Sequence, residues 1–257
     1  NGELKRKDHT LCYENEEGRK YLPVEDIKSI YVLGEVTFNK RLVELLSQKE
    51  IPVHYFNYYG YYMGTFYPRE HLNSGYILLK QAEHFINEDS RLAIAKRTVY
   101  GALRNIRVVL KYYNNRNRNL CTIINNIETL AEDVHKANGI SQLMSIEGHI
   151  REAYYKGFDG IISNNDFIFE KRSRRPPQNR LNTMISFGNS ILYTHILSEI
   201  YKTHLDPRIG YLHATNFRRF SLNLDISEIF KPTIIDRLIF TLISKSIITK
   251  KDFSEEN

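Results

Sequence analysis

Three acidic side chains and one histidine stand out in this chain by residue type and spacing. In the segment after Ser141, the positions Leu143, Glu147, Ile150 and Tyr154 fall at i, i+4, i+7 and i+11, so Glu147 shares a helical face with apolar residues. A carboxylate in such a stripe has to be paired, protonated or bound to a metal, because an unpaired buried charge is costly. Taken alone, the segment also suits a glutamate at the solvent edge of the stripe. Further on, His213 precedes a predicted helix carrying Asp225 and Glu228, whose spacing turns both carboxylates to one side. Imidazole with carboxylate oxygens suits Mg²⁺ or Mn²⁺ and tolerates Zn²⁺, while the lack of thiolates argues against a soft-metal site. Phosphate chemistry is the natural use of an oxygen-rich donor set. By spacing alone, the Asp225 and Glu228 pair equally describes a solvated helix face.

Cations accompany these acids. Arg97, Arg104 and Lys111 recur every seven residues on one predicted helix, with Arg107 beside the last two, and such a stripe can follow phosphates. The segment from Lys171 to Arg180 contributes Lys171, Arg172, Arg174, Arg175 and Arg180, and its Pro176 and Pro177 make it a loop able to grip a DNA backbone. A solvated face and a flexible linker are the plainer readings of both. Ser145 and Ser221 have no base arranged beside them, so a serine nucleophile is not expected. His149, two residues after Glu147, projects to a different face, and His54, His71, His84, His195 and His204 form no metal-spaced set.

The elements that must position these residues are mostly helical. Helical periodicity runs from Ile77 to Tyr113, Cys121 to Ala137, Ser141 to Lys156, Leu181 to Lys202 and Asp225 to Lys250, the last interrupted at Pro232. Asn138-Gly139 and Gly157 bracket the third of these as stop signals. Before them, short β-like runs such as Lys28 to Leu33 and Ile51 to Phe56 alternate with turns around one helix near Asn39 to Gln48, for which Asn39 is the expected N-cap. Tyr55, Tyr58, Tyr59, Tyr61, Tyr62 and Tyr67 crowd a predicted hairpin and suit either an interface or plain strand propensity. The expected fold class is therefore α+β, with a small β-rich domain over residues 1–70 and a larger all-α domain over residues 71–257.

A chain of 257 residues, 42% of them hydrophobic, can bury a substantial core. Its apolar runs fall far short of the roughly 20 residues that span a bilayer, so no membrane association is expected. No cationic start leads into an apolar stretch, and the two cysteines, Cys12 and Cys121, are too few for a disulfide framework, which together suit a cytoplasmic protein. The net charge of +6 favours a polyanionic partner without identifying one.

Several motifs in one order then become specific. Ser145-Ile-Glu-Gly-His-Ile-Arg-Glu-Ala-Tyr-Tyr155 is followed by Arg174-Arg-Pro-Pro177 with Asn182 and Ser186-Phe-Gly188. Gly210-Tyr-Leu-His213 comes next, then Ser221-Leu-Asn-Leu-Asp-Ile-Ser-Glu-Ile-Phe-Lys-Pro232 with Asp236-Arg237. Together with Gly2-Glu-Leu-Lys-Arg-Lys-Asp8, Gly34-Glu-Val-Thr-Phe38 and Arg91-Leu-Ala-Ile-Ala-Lys-Arg97, they make the chain resemble, over nearly its whole length, the CRISPR-associated endonuclease and integrase family of spacer acquisition.

The resemblance implies a sandwich-like N-terminal domain that dimerises and a helical catalytic domain whose metal, Mg²⁺ or Mn²⁺, is held by Glu147, His213 and Glu228. Asp225 matches a second acidic position, as a ligand or as a group supporting one. The implied reaction is metal-assisted phosphoryl transfer, in which a DNA 3′-hydroxyl attacks a phosphodiester of a CRISPR array and a short fragment of double-stranded DNA becomes a new spacer. The implied partners are a second copy of the chain and a small CRISPR-associated partner dimer. Gln178-Asn179-Arg180 departs from the family's usual acidic and proline residues, and both ends look short. A general metal-dependent nuclease for branched DNA and a non-catalytic DNA-binding scaffold are the rival readings.

Overall fold

The computed structural model describes residues 1–68, 72, 74–174, 176–213 and 220–253. Two compact units emerge, Asn1–Asn73 with Tyr201–His204, and Ser74–Ile200 with Leu205–Asn257.

In the first unit, β1 (Gly2–Lys7), β2 (Thr10–Asn15) and β3 (Gly18–Pro23) form an antiparallel meander. Next come β4 (Ile30–Val32) and β5 (Val36–Thr37), then helix α1 (Lys40–Gln48), then the hairpin of β6 (Val53–Phe56) and β7 (Tyr62–Phe66). β5 pairs in parallel with β1 to complete a sheet of order β3-β2-β1-β5, and β4 pairs in parallel with β6 in a second sheet of order β4-β6-β7. The Asn39 side chain accepts from Leu42 N at 3.1 Å, the expected cap, and starts α1. Leu42, Leu45 and Leu46 of α1 then share one core with Leu4, Leu11, Val32 and Val53 from both sheets. Each such leucine contributes about 1.5–3 kcal/mol by burial. At the tip of the β6–β7 hairpin, Asn57 Oδ1 accepts from Tyr59 N and Tyr61 N, and Tyr58 and Tyr59 stand exposed.

The second unit is helical: α2 (Gly75–Ile86), α3 (Glu88–Asn114), α4 (Cys121–Lys136), α5 (Ile140–Tyr155), α6 (Phe158–Ile162), α7 (Arg180–Tyr201), α8 (Ser221–Lys231) and α9 (Arg237–Ser244). The single periodic run expected from Ile77 to Tyr113 is two helices. Asn87 leaves the helical conformation at ψ 109° and accepts from Ser90 N at 2.8 Å, so it caps α3 with Glu88 and Asp89 favourably placed in the first turn. Pro232 heads a π-helical turn, Pro232–Asp236, that carries the chain from α8 into α9, since a residue without an N–H is tolerated where the ladder widens. α9 stops at Ser244, short of the expected Lys250. α3 is the central element, packed against α2, α4, α5 and α8 through Leu103, Ile106, Val109 and Leu110. Among the described residues no helix is long and apolar enough to cross a membrane.

Candidate active site

α5 sets the first group. Leu143, Ile146, Ile150 and Tyr154 face the core, and Glu147 sits at the edge of that face with 21% of its side chain exposed. One turn on, Arg151 turns inward and places Nε 3.7 Å from Glu147 Oε1. Burial pushes the Glu147 carboxyl above the usual range, and the nearby Glu228 adds to the rise, while Arg151, Lys231 and His213 oppose it.

α8 and the loop before it set the second group. Gly210 lies directly against the start of α8, where a Cβ would stand 2.5 Å from Ser221 C, so only glycine permits the approach. Ser221 Oγ fixes that contact by accepting from Gly210 N at 2.9 Å and donating to Arg208 O at 2.6 Å. The loop then folds over Asp225, whose Oδ2 accepts from Tyr211 N at 2.6 Å and Leu212 N at 2.9 Å, and whose Oδ1 accepts from His213 N at 2.9 Å. Three consecutive amides thus make a small anion nest around a carboxylate that is almost fully buried. The ring of His213 completes it with Nδ1 2.8 Å from Asp225 Oδ1, which holds the neutral ring's proton on Nδ1 and its lone pair on Nε2. Burial lowers the His213 pKa, but the bond to Asp225 and the charges of Asp225, Glu228 and Glu147 outweigh it, and the net shift is upward.

Glu228 links the two groups. Its carboxylate is paired with Arg151 Nη2 and with Lys231 Nζ. Its burial would raise its pKa, but Lys231 and Arg151 hold it at about 2. Behind this arrangement, Asp236 at the end of the π-helical turn is buried, faces the Tyr154 hydroxyl, and is pushed up to about 6 mainly by burial, with Arg151 pulling against it. The carboxylates are therefore charge-balanced by Arg151 and Lys231, and among the described residues no three His, Cys, Asp or Glu side chains converge closely enough to hold one ion. The donor chemistry is nonetheless that which suits a hard divalent cation: the carboxylates of Glu147 and Glu228 meet at Arg151, and the imidazole of His213 carries its lone pair on Nε2.

A family profile described as "CRISPR associated protein Cas1" matches residues 1–257. The chain belongs to the Cas1 family. It is 57% identical over 99% of its length to "CRISPR-associated endonuclease Cas1 2" of Thermodesulfovibrio yellowstonii, covering 77% of that protein. It is 54% identical to "CRISPR-associated endonuclease Cas1" of Thermotoga maritima, again over 99% of this chain and 77% of the relative. Among solved structures, a Cas1 protein from Thermotoga maritima superimposes with a TM-score of 0.89 over 100% of this chain and 80% of the other. A casposase bound to its integration product, only 21% identical, shares the fold with a TM-score of 0.88 over 100% of this chain and 74% of the other.

In this Cas1-family chain the expected DNA-binding cations separate into two sets. Arg97, Arg104 and Lys111 stand exposed along α3 as their spacing implied, and Arg174 is exposed in the loop before α7. Arg107 is instead paired with Glu128 of α4, and Arg172 turns inward to Asn182 Oδ1 at 2.9 Å, Ser186 Oγ at 3.1 Å and the carbonyl of Ser173. Both serve packing, because a guanidinium drawn out of water takes the fixed acceptors nearest to it. Arg180 begins α7 and donates to Asp166 O at 3.3 Å, and Arg175 lies outside the described residues. Arg151, Lys231 and Asp236 join the centre although residue type and spacing did not mark them as site residues. Arg151 follows Glu147 by four, and Lys231 follows Glu228 by three, so the i, i+3 and i, i+4 pairing rule was the available signal.

Proposed function

We propose that this protein integrates short double-stranded DNA fragments into a CRISPR array by metal-dependent phosphoryl transfer, and that the same centre acts as a nuclease when water replaces the DNA hydroxyl. The observation that carries the reading is the pairing of Glu147 and Glu228 through Arg151, with the Asp225-supported His213 in the same unit, in a chain 57% identical to a relative named a Cas1 endonuclease. Glu147, Glu228 and His213 through Nε2 are the groups that would hold Mg²⁺ or Mn²⁺. When bound, the ion supplies positive charge to stabilise the charge developing on the attacked phosphate. Asp225 keeps the ring of His213 in the tautomer that exposes Nε2, with both its oxygens already committed to the loop and the ring. Arg151 bridges Glu147 and Glu228 against their mutual repulsion, and with Lys231 it keeps Glu228 ionised.

The residue 1–70 region is proposed to dimerise, and a second copy with a small CRISPR-associated partner dimer to set the spacing of two centres. A solved structure titled "Cas6-RT-Cas1--Cas2 complex", 23% identical, shares this fold with a TM-score of 0.84 over 99% of this chain and 28% of the other, and its title pairs Cas1 with Cas2. The test combines labelled duplex fragments with free 3′-hydroxyls, a plasmid carrying a CRISPR array, Mg²⁺ or Mn²⁺, and the partner present or absent. Joining of label to the array by wild type and not by Glu147→Ala is the expected result. Cleavage without joining would replace integration by general nuclease action, and DNA binding with neither reaction would leave a scaffold.

A further inference from the structure

The end of α3 and the start of α9 meet in a cluster of guanidinium groups that the carboxylate centre does not use. Arg116 stacks its guanidinium 3.7 Å from the centroid of the Tyr112 ring, and Arg237 reaches the same ring at 5.4 Å. Tyr112 is exposed, yet it is anchored from below: it meets Tyr113 edge-on at 5.0 Å, and Tyr113 meets the buried Phe240 edge-on at 5.4 Å. Arg118 follows Arg116 by two residues in the loop after α3. It also donates to Ser163 Oγ at 2.6 Å and opens onto a cleft of ≈ 420 Å³ walled by Ser163, Asn164, Asn165, Ser244 and Ser246.

Several arginines of this unit carry an acid, Arg107 with Glu128, Arg151 with Glu228 and Arg208 with Asp206, while the inward-turned Arg172 is held by Asn182 and Ser186. Among the described residues, Arg116 and Arg237 have no carboxylate at ion-pairing distance and are held instead by an aromatic face. A guanidinium fixed in direction but not neutralised presents its N–H groups to an incoming anion, and its planar fork matches the oxygens of a phosphodiester. The hydroxyls and amides of the adjoining cleft are the neutral donors that commonly complete phosphate contacts.

We infer that Tyr112, Arg116, Arg118 and Arg237 form a docking site for the phosphodiester backbone of DNA, distinct from the carboxylate and imidazole centre. It rests on the reading that this chain handles DNA and adds a grip at a second place. Because Tyr112 is taken by guanidinium groups, the site reads backbone rather than bases and binds without regard to sequence.

The test is fluorescence anisotropy of a labelled DNA duplex across a series of NaCl concentrations, in EDTA so that no reaction occurs. The double variant Arg116→Gln/Arg237→Gln is compared with wild type and with Lys136→Gln/Lys156→Gln, which removes the same charge from two exposed lysines that already face Asp133 and Glu152. The arginine pair is expected to flatten the slope of log K against log salt by about two and to weaken binding roughly 10- to 100-fold near 0.1 M salt, with the melting temperature unchanged. The lysine pair is expected to leave the slope as in wild type. An unchanged slope in the arginine variant, or an equal change in the lysine variant, overturns the inference. Wild type that does not bind the duplex at all overturns the underlying DNA reading instead.

Discussion

The two ends of the candidate centre are held by different forces. His213 and Asp225 are fixed by backbone: three consecutive amides and a ring nitrogen fill the Asp225 carboxylate, and Gly210 lets the loop close on α8. Glu147 and Glu228 are fixed by side-chain charge, with Arg151 between them and Lys231 alongside. The first arrangement is complete without a further ion, whereas the second is a set of acids balanced by cations that a divalent ion could rival for the same oxygens. In the proposed centre, His213 would be the preoriented ligand, and Glu147 and Glu228 would stay balanced by Arg151 and Lys231 until a cation arrives.

Substitutions at the proposed ligands are expected to give the largest effect. Glu147→Ala, Glu228→Ala and His213→Ala are each expected to reduce fragment integration roughly 10³-fold or more, with circular dichroism and DNA affinity close to wild type. Retained integration in all three would remove the centre from the account.

The next effect is on stability and falls on the charge-held end. Arg151→Met leaves Glu228 and Glu147 partly buried with Lys231 as the remaining cation, and the expected cost is about 3–5 kcal/mol, read as a large fall in the denaturation midpoint. If Glu228→Gln in the same background restores most of that loss, the cost is the orphaned charge. If it restores none, Arg151 acts by packing.

Asp225→Asn probes the backbone-held end more gently, because asparagine retains one acceptor oxygen. The expected outcome is a loss of about 1–3 kcal/mol and a 10- to 100-fold weaker metal affinity, with the protein still folded. Metal affinity equal to wild type would show that the tautomer of His213 does not depend on Asp225.

The smallest effect is a pH dependence of the metal-free protein. Asp236 is raised to about 6 in the fold, above the ordinary range of an aspartate, so its contribution to stability is fully present below that ordinary range and is lost as pH rises through about 6. His213 is also raised and acts in the same direction above its ordinary range. Melting temperature in EDTA is expected to rise as pH is lowered from 7.5 to 5.5, and Asp236→Asn to lose part of that rise. An unaltered profile in the variant would contradict the buried carboxyl's role.

Much of this was legible in sequence, for physical reasons that differ by element. Leu42, Leu45 and Leu46 behind an Asn39 cap announce α1 because cap and stripe agree. The apolar face of α5 was equally clear, and it fixed the neighbourhood of Glu147. The break at Asn87 was hidden because helical periodicity continues across it, and the π-helical turn at Pro232 was hidden because proline reads only as an interruption. Arg107 and Arg172 looked like DNA-facing cations, since spacing shows a face but not whether an acid or amide on another element waits there. Asp236 stands in the sequence beside Arg237 with no partner at helical spacing to mark it. Nothing local distinguishes a buried aspartate from an exposed one until α5 and the turn are brought together.

The most direct test of a shared centre is calorimetric titration of Mn²⁺ into the purified protein, its Glu147→Gln, Glu228→Gln and His213→Gln variants, and the exposed-site control Lys136→Gln. Saturable binding by wild type and the control, weakened at least about 10-fold in each of the three variants, is the expected result, because each would lose one ligand of the same ion. Binding that is unchanged in any two of the three variants would contradict a centre in which Glu147, Glu228 and His213 hold one cation together.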